Sequence, residues 1–421
     1  MDRMGKQNIY YGWKMVASAF TIYMLTMAFT SYGCSVIVTL TVRALDWSDS
    51  LPGFASSIMY AVSAALSVPM SIIIVKLGIR AAFFVALGAG AVSAAALSFL
   101  PPSPVLFLAA YVPIGIMVAG VAYAACPCLI NAWFDRKKAT AMAIYISAGS
   151  LGGAIIPPLI QRVTSVNLRA PWMVYLACIL FSIGIAFVFV RNNPEDVGEI
   201  PDGRTWNRTH PAAGDAAAVQ SGSRNVPSLK SCYHSFTFYS LCVQIVSARF
   251  IHAGFSSYVV MYALYRGISE ENAALLLTIF SVSGLIARLS VSALDYLPIS
   301  RHFFCVLCMA VMALSGFCLF SASGMPLFVA GAFGIGLGFG WYLPFFTLLQ
   351  SMCFGRENFP VINGTFNTVS LLGGMAAPRV TLVIYRLTGD FKYSFLILGL
   401  LLLFCVVLSI LTPIRIIRDD S

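Results

Sequence analysis

Arg249 and His252 stand three residues apart in a stretch that is otherwise largely apolar, and Arg288 and Arg379 interrupt two further stretches of the same kind. At positions i and i+3 of a helix, Arg249 and His252 share one face. A guanidinium presents two parallel donors that match a carboxylate, a geometry a lysine lacks. An imidazole is the side chain whose reference pKa lies near neutrality. Anion binding, with His252 as a proton-coupling candidate, is the chemistry this set permits. All sixteen Asp and Glu residues fall in polar segments or at the ends of apolar ones. The three buried-looking arginines therefore lack a counter-ion at their own depth, and an anionic ligand would supply it.

Such residues need elements to hold them, and composition says what those are. Of 421 residues, 59% are hydrophobic and 10% charged, against about 25% charged in a soluble domain. Lipid must be the solvent for most of the chain. Apolar runs long enough to cross a bilayer are expected at 13–39, 52–74, 82–100, 105–132, 139–160, 171–190, 236–262, 273–294, 302–321, 326–350, 361–384 and 393–413. A polar stretch over 191–234, rich in Pro, Gly, Asn and Ser, reads as a linker between an N-terminal half (1–190) and a C-terminal half (235–421). With the N-terminus inside, cytoplasmic segments hold seventeen Lys and Arg and outer loops six. That bias predicts both termini in the cytoplasm of an inner-membrane protein. The net charge of +10 thus reports topology, and no basic run interleaved with aromatics suggests nucleic acid. Eleven scattered cysteines lack metal-site spacing and read as small buried hydrophobes. No metal, cofactor or cleavable signal peptide is expected, and the chain is expected to be monomeric.

The halves look like copies. An offset of 220 lays Phe134, Arg136, Ser150, Leu151, Gly153 and Pro158 on Phe354, Arg356, Ser370, Leu371, Gly373 and Pro378. The same offset aligns Lys76-Leu-Gly-Ile79 with Tyr296-Leu-Pro-Ile299. Duplicated six-helix halves are a transporter architecture. The fold class expected is an all-α integral membrane protein of twelve transmembrane helices in two pseudo-symmetric halves.

Four motifs carry a family resemblance. Tyr11-Gly12-Trp13 opens the first span, and Leu45-Asp46-Trp47-Ser48 follows it. Asn131-Ala-Trp-Phe-Asp-Arg-Lys-Lys138, with Gly149, Gly152-Gly153 and Pro157-Pro158, forms the helix 4–5 hairpin. Pro194-Glu-Asp-Val-Gly198 and Pro201-Asp-Gly203 begin the linker. The chain resembles the major facilitator superfamily over essentially its whole length, and within it the monocarboxylate-transporter and oxalate–formate-antiporter branch. The resemblance implies the major facilitator fold, and for Arg288 the role of the helix 8 arginine that binds substrate carboxylate. It implies cavity positions for Tyr123 and Tyr342, with Tyr32 and Tyr145 as weaker suggestions. Two departures stand out. The helix 2–3 loop has Val75 where the superfamily usually has Asp, whereas the second half keeps Asp295 and Arg301. Gly284 stands where human-type members carry an Asp four residues before the arginine. Asp295, Arg301, Arg136 and Arg356 are the gating candidates.

Each residue also has a plainer reading. Arg288 is either a substrate ligand or an arginine bonded to backbone carbonyls between helices. His252 is either a titrating group beside Arg249 or a packing histidine. Arg379, next to Pro378 in the outer part of helix 11, suits snorkelling or an outer vestibule. Asn363 and Asn367, at i and i+4, are polar glue between helices or part of the gate. Gly334, Gly336, Gly338 and Gly340 lie inside an apolar helix and permit close helix approach rather than nucleotide binding.

An enzyme would need a nucleophile–base set or metal ligands at membrane depth, and the spans offer no acid and one histidine. A channel would need a filter-like loop. The expectation is a secondary transporter of a small organic anion, a monocarboxylate, working by proton symport or anion exchange. The alternatives are an exporter of drugs or metabolites, which would favour acidic cavity residues for cationic cargo, and a ligand sensor that moves nothing.

Overall fold

The computed structural model describes residues 10–33, 37, 41, 45–47, 51–101, 103–135, 137–164, 167–201, 228–294 and 300–412. Among these residues it is helical throughout, as lipid demands of a backbone that must satisfy its own polar groups. Twelve long helices follow one another. They are α1 (Tyr11–Tyr23, continuing as a π-helical stretch Met24–Gly33), α2 (Leu51–Leu77), α3 (Ile79–Phe99), α4 (Pro104–Trp133), α5 (Lys138–Thr164) and α6 (Ala170–Val188), then α7 (Phe236–Tyr265), α8 (Glu270–Leu294), α9 (Arg301–Phe320), α10 (Met325–Phe354), α11 (Phe359–Thr388) and α12 (Lys392–Leu411). Eight of them, α2, α3, α4, α6 and α9–α12, are long and apolar enough to cross a membrane on length and composition alone. In α8 the apolar part shrinks to Leu275–Val291. This is a multi-pass membrane protein.

Local chemistry sets the helix ends. Ser103, Ser235 and Ser300 precede α4, α7 and α9, and each hydroxyl accepts a first-turn backbone N–H. Gly355 and Gly389 terminate α10 and α11 at φ +81° and +74°, backbone that a Cβ would strain. The start of the expected linker, 191–234, is tied to the first half. Asn192 accepts the backbone N–H of Arg80, and the Glu199 carboxylate accepts that of Tyr11 at 2.9 Å, capping α1. A short helix at Leu229–Tyr233 buries Cys232 against the second core.

Two apolar cores form. One gathers α1–α6, the other α7–α12, and each takes one piece from across the divide. Phe359, in the first turn of α11, is fully buried in the first core, while Ala139 and Ala143 of α5 belong to the second. α10 is wedged between two neighbours by its glycines. A Cβ at Gly336 would lie 2.1 Å from Ser283 Oγ and 2.2 Å from the Phe280 carbonyl on α8. One at Gly338 would lie 2.9 Å from the Cys308 carbonyl on α9. The glycine spacing thus serves close helix approach.

Candidate functional site

The i, i+3 pair on α7 faces α10. The His252 ring lies 4.1 Å from that of Phe339 and 5.0 Å from that of Phe280 on α8. The Arg249 guanidinium stands 5.6 Å from the same Phe339 ring, a cation–π distance. Its stem is pressed on α11, where a Cβ at Gly374 would meet Arg249 Cγ at 3.1 Å. Arg288, half-buried on α8, donates from Nη1 to Ser150 Oγ on α5. His252 thus lies on the face of Arg249 and shares a cavity wall with Arg288. A cavity of about 390 Å³ opens among these groups, with Ser150, His252, Phe280, Gly284, Arg288 and Phe339 in its wall. No Asp or Glu lies in the interior of any of the twelve long helices as described. The arrangement holds a guanidinium and an imidazole over an apolar floor, the donor set for one carboxylate.

A second set of contacts ties the two cores at the end of the bundle where the α4–α5 and α10–α11 turns lie. Arg356 Nη1 is 2.9 Å from the Asp135 carboxylate, and its Nη2 donates to the carbonyls of Asn131 and Ala132 at 2.8 and 3.0 Å. Lys138 Nζ donates at 2.9 Å both to Asn131 Oδ1 and to Ser351 Oγ on α10. Asn363 and Asn367 both donate to the Tyr123 carbonyl, at 2.7 and 3.1 Å. That carbonyl sits in a π-helical stretch of α4, Ala119–Ala125, four residues before Pro127, which has no N–H to give it and so leaves it open to α11. Thr368 adds a bond to the Ala64 carbonyl of α2.

The remaining expected site residues disperse. Tyr342 is fully buried on the side of α10 that faces Cys305, Cys308 and Cys405, stacked on Phe346 at 5.1 Å, and is not in the cavity wall. Tyr145 is buried edge-on against Tyr23, and Tyr123 enters the architecture through its carbonyl. Arg379 is exposed. Arg301 opens α9. Arg136 and Asp295 lie outside the described residues, as does the side chain of Tyr32. Ser150, Phe280 and Phe339 were not legible as site residues. Ser150 was visible only as a repeat position and Phe339 only as a neighbour of the glycine stripe.

The profile of the Major Facilitator Superfamily matches residues 10–296 and 241–415. The chain belongs to that superfamily. It has the family's transporter fold, not that of an enzyme. Monocarboxylate transporter 12 of Rattus norvegicus is 22% identical over 318 residues, 71% of this chain, and the match spans 65% of that protein's length. The fold is similar to that of the FucP transporter in its outward conformation, with a TM-score of 0.73 and 15% identity over 96% of this chain and all of that one. It is also similar to that of the human organic anion transporter MFSD10 (TETRAN), with a TM-score of 0.68 and 16% identity over 95% and 97% of the two chains. The helix 2–3 loop of this chain packs on the residues that follow α6. Gly78, at φ +88°, lies so close to Asn192 that a Cβ would meet its amide at 2.7 Å, so the linker root supplies the polar partner of this loop.

Proposed function

We propose that this protein is a secondary transporter that carries a small organic anion, a monocarboxylate, by alternating access of its two six-helix halves. The supporting observation is the convergence of Arg288 and His252 on one cavity wall, with Arg249 beside them and no carboxylate in the interior of any of the twelve long helices as described. Cationic cargo would be repelled there, and a single carboxylate completes the site's charge. Arg288 is the ligand for the anion, Arg249 raises the local potential, and His252 is the group able to carry a proton with it. The names of two similar proteins, a monocarboxylate transporter and an organic anion transporter, point the same way. All twelve helices span the inner membrane, with both termini and the Arg356–Asp135 bridge on the cytoplasmic side. This conformation is accordingly closed toward the cytoplasm, and Arg301, at the start of α9, and Asp295 are the other candidates for gating.

Uptake by proteoliposomes from a panel of radiolabelled carboxylates, with and without an imposed pH gradient, tests the reading. Saturable uptake of a monocarboxylate is expected. Uptake confined to cations or neutral sugars would refute it.

A further inference from the structure

Ser150 belongs to α5 and Arg288 to α8, so their hydrogen bond joins the two cores across the wall of the cavity. We propose that the Ser150 hydroxyl is a resting-state stand-in for the substrate, displaced from Arg288 when a carboxylate binds, and that its displacement releases the α5–α8 contact. The inference rests on the cavity being the anion site.

A hydroxyl is a neutral acceptor that meets one N–H. A carboxylate brings a full charge and two oxygens at the spacing of the guanidinium fork, so it makes two parallel bonds between opposite charges where the hydroxyl makes one. The exchange therefore runs toward the carboxylate when one is present and back to serine when it leaves. The returning hydroxyl keeps that guanidinium donor partnered in the empty cavity, where an unmet polar group is costly. An acid at position 150 would instead hold Arg288 permanently and shut the anion out.

Both ends of the bridge stand on firm supports. One residue before Ser150, a Cβ at Gly149 would lie 3.0 Å from Tyr23 Cε1, so α5 is close against α1 at this level. Two residues after Arg288, Ser290 Oγ accepts from Trp341 Nε1 at 2.8 Å, which ties α8 to α10. Loss of the serine bond is then felt as movement of one core against the other, not as a local change of rotamer.

Ser150→Ala and Ser150→Thr in the full chain test this with two readings. The first holds no anion. Spin labels at Leu159→Cys on α5 and Leu275→Cys on α8, both exposed, report the helix separation by double electron–electron resonance. Ser150→Ala is expected to move or broaden the distribution, and Ser150→Thr, which keeps the hydroxyl, to match the unmodified protein. The second uses benzoate and pyruvate as probes in counterflow. The KM of Ser150→Ala is expected to fall roughly tenfold, the scale of one competing hydrogen bond to a charged group. Unchanged distances in Ser150→Ala, or a KM that rises, overturns the proposal. If neither probe is carried by any variant, the reading of the cavity as an anion site fails, and the distances alone decide the role of Ser150.

Discussion

Arg356 and Arg288 are the same residue type in the same chain, and their surroundings differ in kind. Arg356 meets a carboxylate and two helix-end carbonyls, so its charge and its donors are answered within the protein. Arg288 has a serine hydroxyl across a cavity, and its neighbour Arg249 has the face of a phenylalanine ring. A hydroxyl or a ring face holds a cation without itself bringing a charge to it. The first environment makes an arginine structural. The second suits the anion-binding role proposed for Arg288.

Predictions bear on that contrast at several levels. The largest effect is expected from Gly336→Val, whose Cβ meets α8 at 2.1–2.2 Å. Parting α8 from α10 removes the support of Arg288, and overpacking of this kind costs about 1–3 kcal/mol or more. Melting in detergent should show a large loss of folded protein, and a wild-type melting curve would contradict the close packing. Arg288→Lys keeps the charge and loses the fork, so transport should fall at least about tenfold with expression intact, the equivalent of about 1.4 kcal/mol. Unchanged substrate affinity would take Arg288 out of the site.

His252→Gln should abolish accumulation driven by a pH gradient while counterflow persists, since glutamine is of similar size and does not titrate in this range. Equal rates in both assays for mutant and unmodified protein would make His252 a packing residue. Arg356→Gln is expected to leave substrate affinity within about threefold, because the bridge is partly exposed and such pairs are weak. It should nonetheless raise the reactivity of cysteines introduced at the cytoplasmic mouth, and no change there would refute a gating role. The smallest effect belongs to Tyr342→Phe. Its hydroxyl is buried with no hydrogen-bond partner among the described residues, so removing it should leave transport unchanged and stability equal or slightly higher. Loss of transport would return Tyr342 to the cavity.

Much of the fold was legible because lipid imposes long apolar runs, and misplaced ends have local causes. The start of α8 was expected at 273, yet the helix begins at Glu270. Hydropathy rejects Glu270 and Glu271, so the apolar run starts later than the backbone helix that contains them. The polar text of 191–201 reads as loop, but its carboxylate and amide are caps for α1 and for the turn into α3. Arg249, His252 and Arg288 were legible because charge in an apolar run has few explanations. Ser150 and Phe339 were not, since a serine or phenylalanine in a membrane helix is unremarkable. Tyr342 lies outside the cavity wall, and its facing was hidden for another reason. A helix buried nearly all round has no polar stripe to show which side faces the cavity.

The bridge between the halves has a division of labour with a consequence for inheritance. Its acceptors on α4 include main-chain carbonyls at Tyr123, Asn131 and Ala132, and the donors to these three are side chains of Asn363, Asn367 and Arg356 on the opposite half. A carbonyl survives replacement of the side chain it accompanies. Drift at 123 or 132 therefore leaves these bonds in place so long as α4 keeps its course, while a single codon change at 356, 363 or 367 removes one outright. Random mutagenesis selected for altered opening should accordingly return changes crowded into the α10–α11 turn and the first turns of α11, with few at the matching positions of α4.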